Sequence, residues 1–204
     1  MAFNNLSSII DCLSEWNRIK DNPNLVVEYL SLGNSFSFER ATSVTAVIHA
    51  YPGISIRDKK FYMFLIDAVS DRESTDIALF NAITVCEVKL RTSSPSQIPE
   101  EEALKRIEEW NTHYDSWANQ QIENSEETKG IFQAFNMPSS YMQRNESYVT
   151  YFGLKENSEL TSNYAADLVT CYQSPAAVTY YDTVRPVPPF NINPLSNFYL
   201  LSLI

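Results

Sequence analysis

The sequence predicts an α+β fold: an N-terminal helix, a mostly antiparallel sheet of about four to six strands flanked by helices, a helical insertion and an extended C-terminal arm. Three observations carry this. Apolar residues recur at helical spacing near the N terminus and again beyond Pro99. Several short runs of β-branched and aromatic residues are bounded by turn residues. Prolines crowd the last twenty or so positions, where a sheet ladder has no use for them.

The first helix spans residues 5–20. Leu6, Ile9, Ile10, Leu13, Trp16 and Ile19 share one face, Ser7 or Asn5 suits the cap, and Pro23 bars extension. Three strand candidates follow. Leu25–Leu32 is rich in β-formers. Ser43–Tyr51 places Val44, Ala46, Ile48 and Ala50 on one parity before the Pro52-Gly53 turn. Lys60–Val69 is almost wholly apolar and reads as a central strand.

Residues 74–91 admit two readings. Asn81, Thr84, Glu87 and Arg91 would stripe a helix capped by Ser74 or Thr75, which the length favours. Glu87, Lys89 and Arg91 alternating with Cys86, Val88 and Leu90 suit a strand. A Ser- and Pro-rich loop over 92–99 opens the insertion, about 95–145. Pro99 and Glu100–Glu102 then start a helix that runs to about 123, since proline and acidic residues suit a helix N-terminus. Phe132 and Phe135 form an aromatic island beyond it.

Tyr148–Leu154 and Val178–Val184 read as strands, and Tyr164–Tyr172 as strand or helix. The core is then about 1–94 and 146–184 of one domain, with an arm over about 185–204. The arm carries Pro186, Pro188, Pro189 and Pro194, then ends in Phe198, Tyr199, Leu200, Leu201, Leu203 and Ile204. So apolar an end requires a dock: a final strand of its own sheet, or an edge on a neighbouring subunit. These six residues, with Phe132 and Phe135, are the interface candidates.

Composition excludes several function classes. The chain has 204 residues and a net charge of −10, so its average field repels a polyanion, and no sequence-specific nucleic-acid partner is expected. Its four glycines are scattered and open no phosphate-binding loop. Cys12, Cys86 and Cys171 are widely spaced without a CxxC, and His49 and His113 are the only histidines, so no zinc site is expected. Each cysteine lies in an apolar run and reads as a buried free thiol. No secretory leader is legible and no apolar run has the length to span a bilayer, so no membrane partner is expected.

One constellation resembles a catalytic pattern. Asp67 at the end of a strand, followed by Glu87 and Lys89 on the next, is similar to the PD-(D/E)xK nuclease motif. There two carboxylates hold a divalent cation and the lysine positions water. No Pro-Asp pair precedes the site here, because Asp67 follows Ile66. His49, in an apolar strand beside Tyr51, reads as a core or interface histidine; His113 reads as a solvent-facing one.

A wider resemblance rests on the order of elements over residues 5–91. An amphipathic helix and a strand precede the apolar segment Ile48-His49-Ala50-Tyr51-Pro52. A polar turn leads to Phe61–Val69 with its lone Asp67, and a Ser/Asp-rich linker opens the apolar Asp71–Leu90 segment. This order resembles small neck or tail-terminator proteins of tailed phages, notably those of Bacteroidetes hosts. Leu160–Tyr172 is similar to the stretch before that family's last strand. The resemblance implies a ring of identical subunits at a head–tail junction, with other virion proteins as partners. It implies no catalysis and no cofactor, and a virion location after assembly in host cytoplasm. The insertion and the proline-rich arm depart from the family. The alternative reading is a cytoplasmic protein-binding module that uses an aromatic surface.

Overall fold

The computed structural model describes residues 3–40, 47–90, 101–128, 130–140, 142–143, 145–157, 164–173, 178–181, 185–187 and 198–204. The fold is α+β. In chain order the elements are α1 (Leu6–Ile19), α2 (Pro23–Leu30), β1 (Ser35–Glu39), β2 (Val47–Ser55), β3 (Lys60–Asp67), α3 (Asp76–Ala82) and β4 (Thr84–Glu87). Then come α4 (Glu101–Glu123), α5 (Ser125–Thr128), β5 (Ala134–Pro138), β6 (Ser147–Glu156), β7 (Tyr164–Gln173), β8 (Val178–Tyr181) and β9 (Arg185–Val187). A 3₁₀ helix, Tyr199–Leu203, follows.

The strands form two antiparallel sheets, ordered β1-β6-β7-β8 and β4-β3-β2-β5-β9. An isolated bridge, Ser35 to Lys89, joins their β1 and β4 edges. Gly33 makes that junction possible. A Cβ at position 33 would lie 2.5 Å from the Lys89 carbonyl carbon, a separation that real Cβ atoms do not tolerate.

Both faces of the five-stranded sheet are covered, which is why β3 is apolar at nearly every position. Phe61, Met63 and Leu65 point into a central aromatic core shared with α1, α2, α4 and the other sheet. There Trp16 stacks between Phe61 and Phe132, at ring distances of 5.4 and 5.6 Å, and Trp110 stacks on Phe152 at 5.0 Å. The Trp16 indole N–H donates to the Phe132 carbonyl at 2.9 Å, so this deep tryptophan leaves no polar atom unpaired. On the opposite face Tyr62, Phe64 and Ile66 pack with Leu6, Ile9 and Leu13 of α1, Leu79 of α3, and Phe198 and Leu200.

The structure corrects several expectations. Leu25–Leu32 is largely helical. Asn22 accepts the Leu25 N–H at 3.2 Å, Pro23 occupies the first turn, and Val26, Tyr29 and Leu30 are buried at helical spacing. Residues 74–90 hold both readings in succession, and Arg91 lies outside the described residues. Thr75 caps α3 by accepting the Ala78 N–H at 3.3 Å, and β4 starts at Thr84.

Among the described residues there are nine strands, more than expected, because Ser35–Glu39, Ala134–Pro138 and Arg185–Val187 each pair. Residues 134–138, expected within a helical insertion, lie between β2 and β9 in the sheet. The start of the expected arm, residues 185–187, is a strand of the same sheet. Residues 188–197 of that arm, and the loop expected over 92–99, lie outside the described residues.

Candidate functional site

The most elaborate buried polar cluster centres on Asp71. His49 and Tyr51 share a parity on β2, and that face of the strand packs beneath α1 and the 3₁₀ helix. Past the end of β3 the chain turns sharply: the Asp67 carbonyl accepts the N–H groups of Ser70 at 2.8 Å and Asp71 at 3.1 Å. This turn folds the Asp71 carboxylate back beneath the sheet.

Asp71 Oδ2 lies 2.6 Å from His49 Nδ1 and also accepts the Tyr51 hydroxyl. Its other oxygen, Oδ1, accepts the Leu200 backbone N–H at 3.2 Å. The Phe198 ring stacks on the His49 imidazole at 4.1 Å and meets Tyr51 edge-on at 5.9 Å. His49, Tyr51 and Asp71 are 3%, 0% and 4% exposed. Burial, and then the Asp71 charge, push the Tyr51 hydroxyl well above the ordinary tyrosine range, so it remains a donor.

A buried carboxylate is costly unless its oxygens are satisfied, and here three donors converge on it. An aspartate bonded to a histidine ring nitrogen is also the orienting half of a general-base system. In this arrangement Phe198 covers the imidazole, which is closed off from solvent. The cluster fastens the 198–204 segment to the turn after β3.

A second buried pair fixes α4. The Arg106 guanidinium donates to Asp167 at 2.9 Å and to Glu102 at 3.0 Å, with Arg106 and Asp167 7% and 2% exposed. Gly153, opposite Asp167 on β6, makes room for the helix. A Cβ there would come within 3.3 Å of the Arg106 Cβ.

The structure does not bring the sequence-derived candidates Asp67, Glu87 and Lys89 together. Asp67 stands opposite Ile48, at the far end of β3 from Tyr62, the residue opposite Glu87. Five strand residues, roughly 16 Å, therefore separate the two carboxylates along the sheet. Glu87 instead pairs with Lys60 at 3.0 Å, and Lys89 is exposed while its backbone bridges Ser35. The nuclease arrangement needs both carboxylates at one end, and this topology keeps them apart. Asp67 lines a cleft of about 60 Å³ with Arg40 and Thr84, room for a few waters at most. Among the described residues, no group of three or more His, Cys, Asp or Glu could hold a metal ion.

The three cysteines are buried thiols outside any disulfide, and burial raises the Cys12 thiol to about 11 and the Cys86 thiol to about 12. His113 is half-exposed and pairs with Glu109 at 3.0 Å. Of the interface candidates, Phe198, Leu200, Phe132 and Phe135 are core residues of this same chain. Tyr199, Leu201 and Ile204 are partly buried against that core, and Leu203 is 37% exposed. The greasy end is neither a final strand nor a free arm. It is a 3₁₀ helix seated on its own body, because its backbone has a carboxylate to bond and its rings an apolar bed to fill.

Asp71 escaped the sequence reading because its partners lie 20, 22 and 129 residues away. The one local signal was the shared parity of His49 and Tyr51. No protein-family model matches this chain, and searches of curated proteins and of solved structures return no match. Among the described residues, no helix is long and apolar enough to cross a membrane.

Proposed function

We propose that this chain is a structural assembly protein, a ring subunit at the head–tail junction of a tailed phage. One observation supports this reading over a catalytic one. The best-built polar cluster of the molecule, around Asp71, is closed by the chain's own Phe198 and holds a segment in place. The separation of Asp67 from Glu87 weighs against the nuclease alternative. The element order over residues 5–91 supplies the phage part of the reading, with other virion proteins as partners.

The test is the native mass of the purified protein across concentration, with negative-stain images of the same sample and detection of the chain in purified virions. A closed ring, or incorporation into particles, is expected. A strict monomer that no particle contains would overturn the reading in favour of a protein-binding module.

A further inference from the structure

We propose that the seat around His49, Tyr51 and Asp71 is a binding site for a Phe-x-Leu turn, filled within one chain by its own Phe198 and Leu200 and between chains by the same residues of a second copy. The site goes beyond the ring reading and does not depend on it.

The seat is built without the segment that fills it. His49 and Tyr51 stand on β2, Asp71 in the turn after β3, and Ile9, Leu13 and Leu79 of α1 and α3 supply the apolar bed. Leu200 meets Asp71 across 129 residues of sequence. The segment, for its part, closes on itself. The Leu201 N–H donates to the Phe198 carbonyl at 3.1 Å, and the Ser202 hydroxyl donates to the Tyr199 carbonyl at 2.6 Å. A turn held by its own hydrogen bonds has less freedom to lose on binding.

Two anchors carry the recognition. Phe198 and Leu200 are 1% and 0% exposed. The Phe198 ring lies on His49 and meets Tyr51 edge-on, and the Leu200 N–H reaches Asp71 Oδ1. Tyr199 and Leu201 are only partly buried and Leu203 is exposed, so the site reads a ring and, two residues on, an apolar side chain with a backbone donor. Deeply buried anchors ringed by half-exposed neighbours are how a binding patch concentrates its energy. The receptor side is set in advance, because His49 and Tyr51 already hold Asp71 Oδ2 and leave Oδ1 for the incoming N–H. An empty seat would bare the imidazole and cost the carboxylate a donor, so a Phe-x-Leu turn is what covers it. A second copy carries the identical turn, and exchange between copies keeps every one of these contacts. Within one chain the tethered turn competes at an effective concentration of roughly millimolar.

The experiment uses two full-length variants, Phe198→Leu with its seat intact and Asp71→Asn with its turn intact, each checked for native circular dichroism. The probe is an acetylated peptide of residues 198–202, followed by calorimetry. It should bind the Phe198→Leu chain roughly tenfold or more tighter than the wild type, whose own turn competes, or the Asp71→Asn chain. Mixed, the two variants should melt later than either alone, by a margin that grows with concentration, as the turn of one fills the seat of the other. Should Phe198→Leu misfold, Leu200→Ala takes its place with the same pattern expected. A peptide that binds all three chains equally, or none, would overturn the site. Peptide binding in a mixture that melts as its separate components would overturn the second copy as occupant. Neither result touches the ring reading, which native mass and virion content decide.

Discussion

Asp71 Oδ1 accepts the backbone N–H of Leu200 at 3.2 Å, joining the turn after β3 to a segment 129 residues further along the chain. The bond uses a main-chain donor, so side-chain changes at position 200 leave it in place, while any change that removes the carboxylate does not.

Asp71→Ala strips three donors of their acceptor in a dry environment. The expected cost is about 3 kcal/mol, from a buried hydroxyl, a buried histidine and a backbone N–H left unpaired. Urea unfolding measures the loss. Limited proteolysis should cut ahead of Phe198 earlier in the variant than in the wild type. Equal cutting would show that packing alone holds the segment.

Phe198→Ala removes a ring that is 1% exposed and stacked on His49. A loss of about 3–4 kcal/mol is expected in chemical unfolding, as for other buried Phe→Ala changes. Removing residues 198–204 should lower the melting temperature as well as any assembly. A truncated chain that melts like the full one would contradict the seating of this segment.

Arg106→Ala should destabilise by about 3 kcal/mol, because the buried Asp167 carboxylate then loses its guanidinium partner and keeps the Leu168 N–H at 2.9 Å. The paired change Arg106→Met with Asp167→Leu should recover most of that loss. A double-mutant cycle checks it: near-additive costs would mean the pair does not fasten α4 to the sheet.

The Cys86 thiol sits at about 12 in the folded chain against 9.0 when free, raised by burial. The folded state therefore holds this proton where the unfolded state has released it. The sign follows: the contribution is complete below about pH 9 and is lost as pH rises toward 12. Cys86→Val should flatten the alkaline fall of stability over that window. Native protein at pH 8 should also resist iodoacetamide at Cys86, while urea-unfolded protein reacts at once.

Where one face of an element carries its whole energy, that element was readable from the sequence. Ile9, Leu13 and Trp16 announce α1; Trp110 and Trp117 announce α4; the unbroken apolar run of β3 announces a strand covered on both sides. The α2 segment was not readable as a helix, because Val26 and Val27 favour strands and the deciding signal was the Asn22 cap. The alternation of Phe36 and Phe38 in β1 was available and was missed. The Asp71 cluster lay beyond any local pattern, since its members meet only after the sheet and the 3₁₀ helix are in place.

The single bridge between Ser35 and Lys89 has a dynamic consequence. With Gly33 pressed on the Lys89 backbone, neither sheet can part from the other without breaking that seam. Slow amides at the centres of β3 and β6 should then exchange with deuterium through one shared opening, at one common free energy. A bulkier residue at position 33 would split that single exchange class into two.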